Sequence, residues 1–126
     1  MKSLLGKSSR RPDISFRADG RIDITSRIAK DLSLAPGDII DIAEPVKGEY
    51  CLFVRHRAGV IGRHIGRCYP VIRDNTSGSY RAWSKKMYYV ISDLCDSKDP
   101  YLSFPCGKPF IHESVKFIPI ILGIRL

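Results

Sequence analysis

The chain lacks any long apolar run, any closely spaced cysteine pair and almost all acid in its middle third. Its most apolar stretch, residues 117–126, stops at ten residues and contains Pro119 and Gly123, against roughly 20 for a membrane-spanning helix. It reads as a terminal strand, and no membrane partner is expected. Residues 1–5 are shorter than the apolar core of an export signal, so a cytoplasmic, reducing compartment with free thiols is expected. Cys51, Cys68, Cys95 and Cys106 stand 17, 27 and 11 residues apart. No Cys-x-x-Cys and no neighbouring histidine pair marks a metal site, so neither metal nor cofactor is expected. The phosphate-loop and dinucleotide fingerprints are missing too, which argues against a nucleotide-dependent enzyme. His56, His64 and His112 lack a carboxylate and a nucleophile at recognisable spacing. His64 with Cys68 is the one nucleophile and base pairing, and the chain is read as a non-enzyme.

What remains is charge, unevenly placed. The net charge of 126 residues is +8. Residues 1–50 hold nine Lys/Arg against eight Asp/Glu, residues 51–90 eight against one, and residues 91–126 four against four. A basic excess confined to one segment favours a polyanion, because phosphate contacts release condensed counterions; the bland alternative is a surface that only aids solubility. With 44% hydrophobic and 27% charged residues, the composition is that of an ordinary globular domain. Residues 1–12 read as a flexible basic arm and 13–126 as a single compact domain.

The patterning predicts an α+β, mostly β fold with two short helices. A run at 14–16, the Asp19-Gly20 turn and alternating Ile22 and Ile24 predict a hairpin. Thr25 and Ser26 can cap a helix carrying Ile28, Ala29 and Leu32, which ends before the Pro36-Gly37 turn. Ile40 and Ile42, the Lys47-Gly48 turn and residues 50–54 predict a second hairpin. Residues 55–67 interleave Gly59, Gly62 and Gly66 with Arg55, Arg57, Arg63 and Arg67. Each glycine costs a helix about 1 kcal/mol relative to alanine, so a loop is expected. It is either a solvated connection or a phosphate cradle of backbone N–H groups and guanidinium forks. A short strand follows at 69–73 and a turn at 75–79. Trp83, Met87, Val90, Ile91 and Leu94 fall at helical spacing over 83–94, with Ser84 as cap. Strands are expected at 101–104, 110–111 and 115–121. Residues 21–32 and 81–94 share a pattern in which a strand with Arg leads to a capped amphipathic helix, a candidate internal repeat.

Gly20-Arg21-Ile22-Asp23-Ile24, then Ile28, Leu32, Leu34, Pro36-Gly37-Asp38, Ile40 and Ile42, resembles the swapped-hairpin AbrB-like family of transition-state regulators and antitoxins. The resemblance covers residues 14–54, a third of the chain, inside a 13–54 unit of order β-β-α-β-β. It implies a DNA contact at Arg21, in the family's Gly-Arg turn, and a second at Lys30. Thr25 stands where the family often has Pro, and Ala29 replaces one member of a common basic pair. It also implies a small barrel, made by a dimer or by two such units in one chain. Residues 55–126 would then either complete the barrel or form an appended module, and a closed monomer is the expectation.

The expected function is nucleic-acid binding, DNA before RNA, of the transcription-regulator kind. The candidate contacts are Arg21, Lys30, Arg55, Arg57, Arg63, Arg67, Arg81, Lys85 and Lys86. Trp83, Tyr80, Tyr88 and Tyr89 lie beside the last three and can stack bases. Helical spacing places Trp83 and Met87 in the core and leaves Tyr80 and Tyr89 as the surface rings. The alternative is an antitoxin-like interaction module, in which the arm or an exposed strand at 117–126 docks on a protein partner or a second copy.

Overall fold

The computed structural model describes residues 12–55, 66–71 and 78–126. The expected basic arm, Pro12 apart, and Arg57 and Arg63 of the glycine-rich segment lie outside them. Strands β1 (Ile14–Arg17) and β2 (Arg21–Ile24) form the first hairpin. Gly20 takes φ +102° in its turn, and a Cβ there would stand 3.1 Å from both the backbone N and Cγ of Lys85. Ile14, Phe16, Ile22 and Ile24 are buried on one side of this hairpin, as the alternation requires. Helix α1 (Ser26–Leu32) buries Ile28, Ala29 and Leu32 and stops at Ser33 in the left-handed conformation. Strands β3 (Ile39–Val46) and β4 (Glu49–Arg55) make the second hairpin. The first third thus has the order β-β-α-β-β, with its two hairpins in different sheets.

The rest supplies β5 (Tyr69–Pro70), β6 (Tyr80–Trp83), helix α2 (Lys85–Leu94), β7 (Tyr101–Phe104), β8 (Phe110–His112) and β9 (Val115–Pro119). The Ser84 hydroxyl accepts the Met87 N–H at 3.2 Å and caps α2. The two antiparallel sheets have orders β5-β6-β2-β1-β7 and β3-β4-β9-β8.

Leaving β7 aside, both orders are palindromic about an antiparallel pair. β2 and β6 lie side by side within one sheet, with β1 outside β2 and β5 outside β6. β4 and β9 occupy the same place in the other, with β3 and β8 outside them. β7, paired to β1, is the one strand without a counterpart among those described. The helices match as well: α1 buries Ile28, Ala29 and Leu32, and α2 buries Met87, Tyr88 and Ile91 at the same i, i+1, i+4 spacing. This shared arrangement of strands and helices parallels the pattern common to residues 21–32 and 81–94 in the sequence.

The core fills the space between the sheets with Phe16, Phe104, Ile22, Ile40, Leu52, Ile91, Leu102 and Ile118, all fully buried. Among the described residues the expected closed barrel is not formed. Outside the two ladders the sheets are joined by isolated bridges, Ile39 with Arg67 and Cys106 with Ile120. Strands of two to five residues, such as β5 and β8, are too short to carry a continuous ladder around the rim. The terminal strand is also shorter than expected. β9 ends at Pro119, which has no N–H to donate, and runs between β4 and β8 with Phe117 and Ile118 buried. It is not an exposed edge. Residues beyond it fold back so that the Leu126 N–H donates to the Ser103 carbonyl at 3.0 Å.

Candidate nucleic-acid interface

Strand alternation decides which basic residues meet. In β2, Ile22 and Ile24 point to the core, so Arg21 and Asp23 point outward; in β6, Ala82 points inward and Arg81 and Trp83 outward. The register sets Asp23 opposite both Arg81 and Ser15, Arg21 opposite Trp83, Arg17 opposite Tyr101, and Arg81 opposite Tyr69. Residues opposite one another share a face. Among the described residues, the outer face of the five-stranded sheet therefore carries three arginines, one aspartate and three aromatic rings.

The aspartate is the centre of this cluster. Arg21 Nε donates to both Asp23 carboxylate oxygens at 3.1 and 3.3 Å, Arg81 Nε donates to Oδ1 at 2.9 Å, and Arg17 Nε lies 3.9 Å from Oδ2. Three positive charges against one leave the cluster at +2. Among the described residues, no acceptor engages the terminal nitrogens of these three guanidinium groups. Arg17 also lies over the Tyr101 ring, 5.0 Å from its centroid. Tyr69, Trp83 and Tyr101 are 55%, 45% and 48% exposed. An open groove of about 300 Å³ runs along this face past Ser15, Asp23, Val71, Arg81 and Tyr101.

Trp83 was expected in the core on helical spacing. It lies on β6, one residue before the α2 cap, so alternation rather than helical period governs it and turns it to solvent. Met87 is buried as expected. Tyr89 is exposed, but Tyr80 is drawn inward and donates its hydroxyl to the Leu34 carbonyl at 3.1 Å, while buried Tyr88 donates to the Asp99 carbonyl at 2.5 Å. Tyr69 and Tyr101 were missed as site residues, and Arg17, near the basic face of the hairpin in sequence, was not counted among the contacts. Each is isolated in sequence and reaches the face only through strand pairing.

The other candidates are dispersed. Lys30 is exposed in the last turn of α1, which packs on β9 of the four-stranded sheet. Arg55 donates to Asp41 at 3.1 Å and shares with Lys86 a cavity of about 170 Å³ lined also by Ile42, Met87 and Val90. Lys85 is exposed at the start of α2, beside the Gly20 turn. Arg67 donates to the Gly37 carbonyl at 3.2 Å. Gly66 donates to the Trp83 carbonyl at 3.2 Å and accepts from Ile40 at 3.0 Å, so it ties the two sheets together.

The His64 and Cys68 pairing falls partly outside the described residues, but Cys68 itself is fully buried. Burial, assisted by the Asp38 charge, pushes its thiol from the ordinary 9.0 up to about 12, the opposite of what a nucleophile needs. His112 contacts Glu113 at 3.1 Å. Among the described residues, no three His, Cys, Asp or Glu side chains come together as a metal site, and no helix is long and apolar enough to cross a membrane.

Compared with protein-family models, with curated proteins and with solved structures, the chain gives no match.

Proposed function

We propose that this chain binds nucleic acid across the outer face of its five-stranded sheet. The observation that carries the reading is the convergence of Arg17, Arg21 and Arg81 on the single carboxylate of Asp23. One carboxylate fixes the direction of two guanidinium groups by hydrogen bonds, has a third 3.9 Å away, and neutralises only one charge of the three. The result is a preorganised set of forked donors with a surplus of positive charge, the chemistry that phosphate oxygens require. Two of the arginines, Arg21 and Arg81, come from the central strands of the two halves, and this supports reading the chain as two fused AbrB-like units. On that reading DNA is the expected polymer and transcriptional regulation the expected role. Lys85, beside the Gly20 turn, extends the basic surface at one end of the face.

Fluorescence anisotropy with labelled oligonucleotides over a range of salt tests the proposal. Binding that weakens linearly in log–log form as salt rises is expected. Absence of binding at low salt, or binding indifferent to salt, overturns it. The interaction-module reading keeps one favourable observation, the exposed Tyr89, Val90 and Leu94 on α2. It no longer has an exposed terminal strand to dock.

A further inference from the structure

We infer that the nucleic acid held on this face is single-stranded, with bases laid on Trp83, Tyr101 and Tyr69 and phosphates on the arginines between them. The inference rests on the proposed function and narrows it. A duplex hides the faces of its bases and presents phosphates and groove edges, so it would use the arginines and leave the half-exposed Trp83 and Tyr69 rings without a partner, Tyr101 already having Arg17 over it. A single strand presents base faces and phosphates together, and sequence-tolerant stacking on aromatic side chains combined with a positive groove is how such strands are held. The arrangement here matches that division. Trp83 on β6 and Tyr101 on β7 are separated by the Arg21 and Arg17 strands, three inter-strand steps or about 14 Å. Trp83 therefore flanks the cations, while Tyr101 has Arg17 over one face of its ring.

Trp83 is the chain's only tryptophan, so its fluorescence reports this face alone. The test uses the full chain with an unlabelled oligonucleotide, single-stranded and as the matching duplex, together with the variants Trp83→Ala, Trp83→Phe and Tyr101→Ala. Quenching of Trp83 by the single strand, tighter binding of the single strand than of the duplex, and roughly tenfold weaker single-strand binding in Trp83→Ala and Tyr101→Ala with rescue in Trp83→Phe support the inference. Duplex binding as tight as single-strand binding, with Trp83→Ala without effect on either, overturns it while leaving nucleic-acid binding in place. Failure of both polymers to bind the folded wild-type chain overturns the proposed function and the inference together. Because both rings are exposed, circular dichroism of each variant is expected to match the wild type.

Discussion

Arg81 stands directly across the β2–β6 ladder from Asp23, with its Nε 2.9 Å from the carboxylate that Arg21 already holds from two residues away on the same strand. Asp23 thus links the central strands of the two halves and at the same time restrains the positive charge of the face. These two roles pull in opposite directions, and a single substitution separates them.

Asp23→Asn removes the one negative charge of the cluster, raising it from +2 to +3. The fold should lose about 1 kcal/mol, since the pair is partly exposed and its charge-assisted bonds are screened. Nucleic-acid affinity should rise at low salt, with a salt slope steeper by up to about one phosphate contact. Thermal unfolding and anisotropy on the same preparation check both; a fall in affinity would place the phosphates away from this carboxylate.

Neutralising the face should act on binding far more than neutralising other basic residues. Arg21→Gln with Arg81→Gln should reduce the magnitude of the salt slope by roughly 1.4 for a single strand or 1.8 for a duplex. Arg55→Gln with Lys86→Gln, at the cavity beside α2, should leave the slope unchanged. The reverse ranking would move the site to that cavity.

Gly48 and Gly66 share φ +85°, yet replacing them should differ in cost. Nothing lies within 4 Å of a Cβ at Gly48, so Gly48→Ala should cost about 1 kcal/mol of left-handed strain alone. A Cβ at Gly66 would lie 2.6 Å from both the Ile40 carbonyl oxygen and Met87 Cε. Backbone cannot retreat there without breaking the Ile40 to Gly66 bond, so Gly66→Ala should cost about 3 kcal/mol or more. Denaturant midpoints of the two variants compare them.

The buried thiols make stability fall in alkali. Burial pushes Cys51 up to about 11 and Cys68 up to about 12, from an ordinary 9.0 in the unfolded chain. The folded state therefore binds more protons than the unfolded state between pH 9 and 12, and stability present below pH 9 is lost as pH rises through that window. Cys51→Ser with Cys68→Ser should remove this part of the pH dependence, whatever its effect on stability at neutral pH. Iodoacetamide under native conditions should modify Cys95 first, as Cys51, Cys68 and Cys106 are buried.

The sequence by itself determined most of the local structure. Period-two isoleucines, the Asp19-Gly20, Pro36-Gly37 and Lys47-Gly48 turns, and apolar residues at helical spacing encode hairpins and helices through contacts a few residues apart. These elements therefore appear close to where they were expected. It also held the basic excess of residues 51–90, but of the three clustered arginines only Arg81 comes from that segment. Trp83 went to the wrong environment because a strand-to-helix junction satisfies both periods, and only its pairing with Arg21 selects between them. Tertiary structure decided the rest. Whether the sheets close into a barrel depends on how strands from distant segments meet at the rims. Arg17, Arg21 and Arg81 become neighbours only because β1, β2 and β6 lie side by side. Long-range strand register converts scattered arginines and rings into one face, and no local pattern in the chain encodes that register.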